Sequence, residues 1–188
     1  MIVHIPTLET QRLRLRRLQS KDLPLYFSRL WSREDIARHM LWEPHKTLEE
    51  SAASLQKAIQ RYETGEAIRF CIALKDTDAL IGIIDLLRFD EKNRTCSFAY
   101  MIAREFWDRG FATEAVKAAF AFAFDTLGIE AITADHFAEN PASGAVMEKA
   151  GMVYQRTLPA RYEKHGILHD AREYHITKKQ WNMQKDNR

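Results

Sequence analysis

Residues 111–127 constrain this chain more than any other stretch. At helical spacing Glu114, Lys117 and Asp125 fall close to one stripe with Ala121 between them, and nearly all the rest is Ala, Phe, Val and Leu. A helix apolar around most of its circumference must be covered by a sheet and by something else. Gly128 follows it and suits the left-handed position that ends a helix. Upstream, Arg94 to Ile102 reads as a strand: Thr95, Ser97, Phe98, Tyr100 and Ile102 are β-branched, aromatic or hydroxyl-bearing, with no helix breaker. Strand, short turn and apolar helix place the chain in the α/β (α+β) class.

The turn itself, Arg104 to Thr113, contains Gly110 and the small Ala112. The first amides of a helix have no partner within it, and the macrodipole puts partial positive charge there. With little side chain at two positions and Arg109 beside them, a phosphate could approach the backbone closely. Spacing alone leaves a second explanation open, a tight turn that uses Gly110 only for its conformation.

At 188 residues and 21.9 kDa the chain is expected to form one domain over residues 1–188, with its core in 7–177. Its 46% hydrophobic and 29% charged residues argue against disorder, and a net charge of +2 is too small to argue for nucleic acid. No apolar run approaches the ~20 residues of a membrane span. Met1 to Pro6 lacks the basic region and apolar core of a signal peptide, and Cys71 and Cys96 read as buried free thiols. A cytoplasmic protein is expected, with neither membrane nor nucleic acid as partner.

Thr10 to Leu18 alternates Arg12, Leu13, Arg14, Leu15, Arg16, a half-buried strand whose arginines are expected on a solvated face. Ser20 offers an N-cap for a helix carrying Leu23, Tyr26, Phe27 and Leu30. After an aromatic loop, Thr47-Leu48-Glu49-Glu50 opens a helix expected to end at Thr64-Gly65. Ala67–Lys75, Leu80–Phe89 and the strand from Arg94 form an antiparallel meander. Glu130–Phe137 then completes a strand-helix-strand crossover unit with parallel neighbours. Asn140 and Pro141 are a good N-cap and N1 pair for a helix ended by Gly151. Met152–Arg161 and Ile167–Thr177 read as a hairpin turning near Lys164-His165-Gly166, and the polar tail Lys178–Arg188 is expected to fray.

Trp107-Asp108-Arg109-Gly110-Phe111-Ala112, followed by Thr113-Glu114-Ala115, resembles the pyrophosphate loop of GNAT acyltransferases, most of all the RimJ/RimL ribosomal-protein-alanine acetyltransferase branch. Asp108 stands where many members carry Gly. Asn140, Ser143, Glu148, Lys149, Gly151 and Met152 resemble the second GNAT signature, with Ala150 and Met152 in place of its Leu and Phe. The resemblance implies a single GNAT-like domain: a mixed, mostly antiparallel sheet of about seven strands, flanked by helices and splayed at the acyl-CoA site. It implies acetyl-CoA as cosubstrate, its pantetheine arm along Met101, Ile102 and Ala103. Its pyrophosphate would lie on Arg109, Gly110, Phe111, Ala112 and Thr113, with Trp107, Asn140, Ser143 and Lys149 also near it. Trp42 and His45 match the acceptor side of the branch; Asp85 and His136 are further substrate-side candidates that no motif fixes.

In such an enzyme an amine attacks the thioester directly, which needs a neutral amine, an oxyanion donor and a proton for the thiolate. A backbone N–H around Tyr100 to Ile102 would be the donor. Met147 stands where many members place a Tyr acid, and Ser143 is what the branch offers instead. Both Ser143 and Asn140 also have purely local explanations, as a first-turn Ser and a helix cap. Ser97 replaces the usual Glu base, leaving Asp85, His136 and Glu139. An α-amine of pKa ~7.8 is about 14% neutral at pH 7, a shortfall of roughly 1.1 kcal/mol, against about 4.6 kcal/mol for a lysine at ~10.4. That favours a peptide N-terminus or a small amine of modest pKa.

His165, His169 and His175 lack metal-ligand spacing, so no metal is expected, and no Gly-x-Ser-x-Gly elbow is present. Two alternatives stay open: a non-catalytic acetyl-CoA-binding or ribosome-associated module, and an antibiotic or polyamine acetyltransferase with an acidic cleft. Either a monomer or a homodimer fits.

Overall fold

The apolar helix is covered on both sides, and the second cover is the segment expected to fray. The computed structural model describes residues 5–64 and 67–186. Its eight strands are β1 (Leu8–Glu9), β2 (Leu13–Arg16), β3 (Ala67–Leu74), β4 (Leu80–Asp90), β5 (Thr95–Ile102), β6 (Ala131–Phe137), β7 (Val153–Lys164) and β8 (Ile167–Thr177). They form one sheet in the order β1-β2-β3-β4-β5-β6-β8-β7. Every neighbouring pair is antiparallel except β5 and β6. The helices are α1 (residues 20–31), α2 (Glu34–Ala37), α3 (Leu48–Thr64), α4 (Phe111–Ala121, continued by a π turn over Phe122–Thr126), α5 (Pro141–Lys149) and α6 (Lys178–Asp186). The expected end of α3 at Gly65 lies outside the described residues.

α4 lies on the sheet face that carries Phe70 and Phe98. Phe98 meets Phe120 edge-on at 5.0 Å, and Phe70 meets Phe122 at 5.6 Å. Its outer side is closed by Trp181 of α6, 6.2 Å from Phe120 and 5.9 Å from Phe124. Over Lys178–Asp186 the ordered helix therefore corrects the reading of a frayed tail; Asn187 and Arg188 lie outside the described residues. Eight of the nine α6 residues are not tryptophan, so average polarity hides the one side chain that anchors it; Trp181 is 4% exposed. No helix among the described residues is long and apolar enough to cross a membrane.

Three further readings need correction. The strand read over Thr10–Leu18 is only Leu13–Arg16 (β2), and β1 precedes it through the turn in which Thr10 N–H donates to Leu13 C=O at 2.9 Å. The arginine face is only partly solvated. Arg16 is buried, forked onto Asp22 at 2.8 and 2.9 Å and bonded through Nε to Asp78 at 2.9 Å. Ser20 is not the cap of α1; Gln19 precedes the helix, and its N–H is accepted by Asp22 at 2.8 Å. Cys71 and Cys96 are free and buried.

Candidate functional site

The sheet opens at its single parallel junction. β5 and β6 pair only at Thr95↔Ala131, Cys96↔Ile132 and Ser97↔Thr133, although β5 continues to Ile102 and β6 to Phe137. Ala103 N–H donates to Ile81 C=O at 2.8 Å, and Met101 lies opposite Ile83. Alternation along an antiparallel ladder then turns the backbone groups of Met101 and Ala103 toward β4 and those of Tyr100 and Ile102 into the opening. Of the three residues expected along a pantetheine arm, Ile102 alone presents its main chain there. Its carbonyl accepts the indole N–H of Trp107 at 2.6 Å.

Beside this opening α4 begins without a side-chain cap. Gly110 is left-handed (φ +79°), and Glu114 N–H to Gly110 C=O at 3.0 Å is the first helical bond. The amides of Phe111, Ala112 and Thr113 precede that bond and have no intrahelical acceptor. A Cβ on Gly110 would meet only the Arg12 guanidinium, at 3.4 Å, so the positive φ is what asks for glycine. Arg12 donates to Arg109 C=O at 2.9 Å and pairs with Glu114 at 2.7 Å, fixing the turn from β2. Burial pushes the Glu114 carboxyl up, but hydrogen bonds from Thr10 and Arg12 outweigh it and hold it below the usual range. Arg109 lies over Phe106 and Phe111, and Arg104 over Trp107. Open amides beside the Arg109 guanidinium suit a di-anion such as a pyrophosphate.

α5 starts differently. Pro141 occupies N1, and Asn140 Oδ1 accepts Ser143 N–H at 3.4 Å. Ser143 Oγ accepts the Tyr100 hydroxyl at 3.4 Å across the opening, and burial pushes the Tyr100 phenol up to about 12. Gly144 lets α5 close onto the sheet, since a Cβ there would lie 2.9 Å from both His136 Nε2 and Tyr174 Oη. His136 Nδ1 must donate to Phe137 C=O at 2.7 Å, which leaves the lone pair on Nε2, buried and unpartnered. Burial lowers the His136 pKa. Lys149 is exposed in the last turn, about 9 Å along the helix from Ser143 at ~1.5 Å per residue. The structure thus gathers Tyr100, Ser143, Asn140 and His136 at one end of α5 and leaves Lys149 apart.

The opposite sheet face is open at Ala99. Arg69, Asp85 and Ala99 share it, and Ala99 is exposed although β5 is a central strand. Asp85 is gripped by Arg69 at 2.6 and 2.7 Å and lines a cavity of about 300 Å³ under α3 with Ala58, Arg61 and Leu87. Trp42 and His45 are spent on packing: Trp31 lies between them at ring distances of 4.4 and 4.8 Å, and His45 Nδ1 bonds Ser51 Oγ at 2.7 Å. Burial lowers the His45 pKa. Glu139 is exposed and meets His169 at 3.2 Å. No sequence pattern singled out Asp135, on the half of β6 that pairs with β8 but not with β5. The Tyr162 hydroxyl donates to its Oδ1 at 2.5 Å, while Arg161 stands 3.6 Å from Oδ2. Burial pushes the Tyr162 phenol up, and Asp135 adds to the shift. Only the strand register tells which face this carboxylate takes. Arg12 was missed for a similar reason: its contacts lie about a hundred residues away.

Residues 12–153 match the model of the acetyltransferase (GNAT) domain family. The uncharacterized N-acetyltransferase YoaA of Bacillus subtilis (strain 168) is 30% identical over 92% of this chain and 97% of its own length. A spermidine N(1)-acetyltransferase of Vibrio cholerae is 24% identical over 88% of this chain and 92% of its own. The crystal structure of a GNAT-family acetyltransferase from Bacillus anthracis superposes with a TM-score of 0.83 at 21% identity, covering 93% of this chain and 99% of that one.

Proposed function

Because this chain belongs to the GNAT acetyltransferase family, we propose that it transfers the acetyl group of acetyl-CoA to an amine by direct attack on the thioester. The observation that carries this reading is the juxtaposition of unbonded amides at the start of α4 with the parting of β5 from β6. The amides of Phe111, Ala112 and Thr113, with Arg109 and Arg12, fit the pyrophosphate, and the main chain of Tyr100 and Ile102 fits the pantetheine arm. Acetyl-CoA supplies the activated acyl group.

Every other element of the reaction belongs to side chains and backbone already described. The Tyr100 or Ile102 N–H receives the developing oxyanion. The Tyr100 phenol, kept protonated by burial and leaning on Ser143, gives its proton to the departing sulfur. Asn140 holds Ser143 through the helix cap. Ser143, seated by Asn140, supports kinship with the RimJ/RimL branch. The acceptor is a peptide N-terminal α-amine or a small amine of modest pKa, since its neutral form costs little at pH 7. A linear polyamine is the second reading, supported by the spermidine acetyltransferase among the relatives.

The test is thiol release from acetyl-CoA against peptides with free α-amines, a lysine side-chain acceptor and spermidine at pH 7. Faster turnover on the α-amine peptides is expected. Preference for spermidine would select the second reading. Acetyl-CoA binding with no transfer to any amine would leave a binding module and end the enzymatic one.

A further inference from the structure

The reaction needs a group to take the proton from the attacking nitrogen, and the residues first considered for it are engaged or misplaced. Asp85 has both oxygens on Arg69. His136 lies beneath α5 on the closed face. Glu139 follows the end of β6 and meets His169.

The strand register supplies another. Ser97 and Thr133 are the last partners across the parallel junction, and side chains two residues on keep to the same face. Ala99 and Asp135 therefore face each other one step into the opening, on the side where Ala99 is exposed and leaves room for a ligand. Tyr100 and Ser143 lie on the other face. A thioester held between the strands would have its sulfur toward Tyr100 and its carbonyl carbon open toward Asp135.

Resting on the acetyltransferase reading above, we propose that Asp135 is the catalytic base and that Tyr162 is a positioning residue for it. Tyr162 fixes Oδ1 by a short hydrogen bond, and Phe137 stacks on the Tyr162 ring at 4.8 Å, holding the phenol in place. Among the described residues Oδ2 meets only the Arg161 Nε, an ion pair at 3.6 Å with no hydrogen bond, and can still accept an N–H of the neutral amine. As the nitrogen attacks, the C–N bond forms and the C–S bond breaks. The N–H proton passes to Asp135 Oδ2, and Tyr100 protonates the sulfur. The proton on Asp135 then returns through solvent to the Tyr100 phenolate, so amine and thioester become amide and thiol with no net proton change.

The experiment measures steady-state acetylation of an α-amine peptide by the wild-type protein and by Asp135→Asn, Asp135→Glu and Tyr162→Phe, with acetyl-CoA affinity measured by calorimetry. Asp135→Asn keeps an oxygen for Tyr162 and should lower kcat about 100-fold, with acetyl-CoA affinity within about twofold. Asp135→Glu should recover at least about tenfold of that loss. Tyr162→Phe should lower kcat about tenfold with both KM values within about twofold. A wild-type kcat in Asp135→Asn, while the wild-type protein turns over, overturns this inference alone. A wild-type protein that binds acetyl-CoA and acetylates nothing overturns it together with the reading it rests on.

Discussion

Two helices begin at the edge of the same opening, and they begin in opposite ways. α4 starts at a left-handed glycine with no side chain on its first amides; α5 starts with a proline that removes one amide and an asparagine that accepts another. The first terminus keeps its donors for something outside the fold, and the second satisfies them within it. Resemblance alone would lead one to count both as ligand-binding signatures. The geometry separates them: one leaves its donors open, as the proposed pyrophosphate seat requires, and the other is a rigid mount for Ser143.

The sharpest way to break this contrast is Gly110→Glu. A side chain at φ +79° costs about 1–2 kcal/mol, and its carboxylate opposes the anion. Acetyl-CoA affinity should fall by about 100-fold or more in calorimetry, and an unchanged affinity would remove α4 from the site. Asn140→Ala should lower unfolding free energy by about 1 kcal/mol in denaturant titration while acetyl-CoA affinity stays within about twofold. A tenfold loss of affinity there would erase the distinction. Arg12→Ala should weaken acetyl-CoA binding about fivefold, because the turn loses its tie to β2. The smallest effect concerns pH. The Glu114 carboxyl is held below its unfolded value, so its stabilisation is complete above about pH 4.3 and is lost as pH falls through the folded pKa. Thermal scans from about pH 5 down to about pH 3 should therefore show a smaller decline for Glu114→Gln than for the wild type.

Much of this was legible in the chain because it is local. Phe111–Leu127 announces a helix needing two covers, Asn140-Pro141 announces a capped start, and the crossover from β5 to β6 follows from strand, helix, strand. What escaped depends on partners distant in sequence. Arg16 is buried because Asp22 and Asp78 come to it, although alternation with leucine suggested solvent. Trp181 belongs to the core because Phe120 and Phe124 leave a place for its ring. Trp181→Ala should cost about 3–5 kcal/mol, readable in denaturant unfolding, where a freely fraying tail would cost nothing. Asp135 is invisible without register, since a one-residue slip would move it to the other face.

The three rungs between β5 and β6 also have a mechanical meaning. Among the described residues they are the sole ladder joining a five-strand plate to a three-strand plate, so the sheet bends most easily along that line. A molecule lodged in the V between the plates acts as a shim, setting their tilt and stiffening the joint. Slower amide exchange at Thr95 to Ser97 upon acetyl-CoA addition would register this stiffening far from any atom that touches the pyrophosphate.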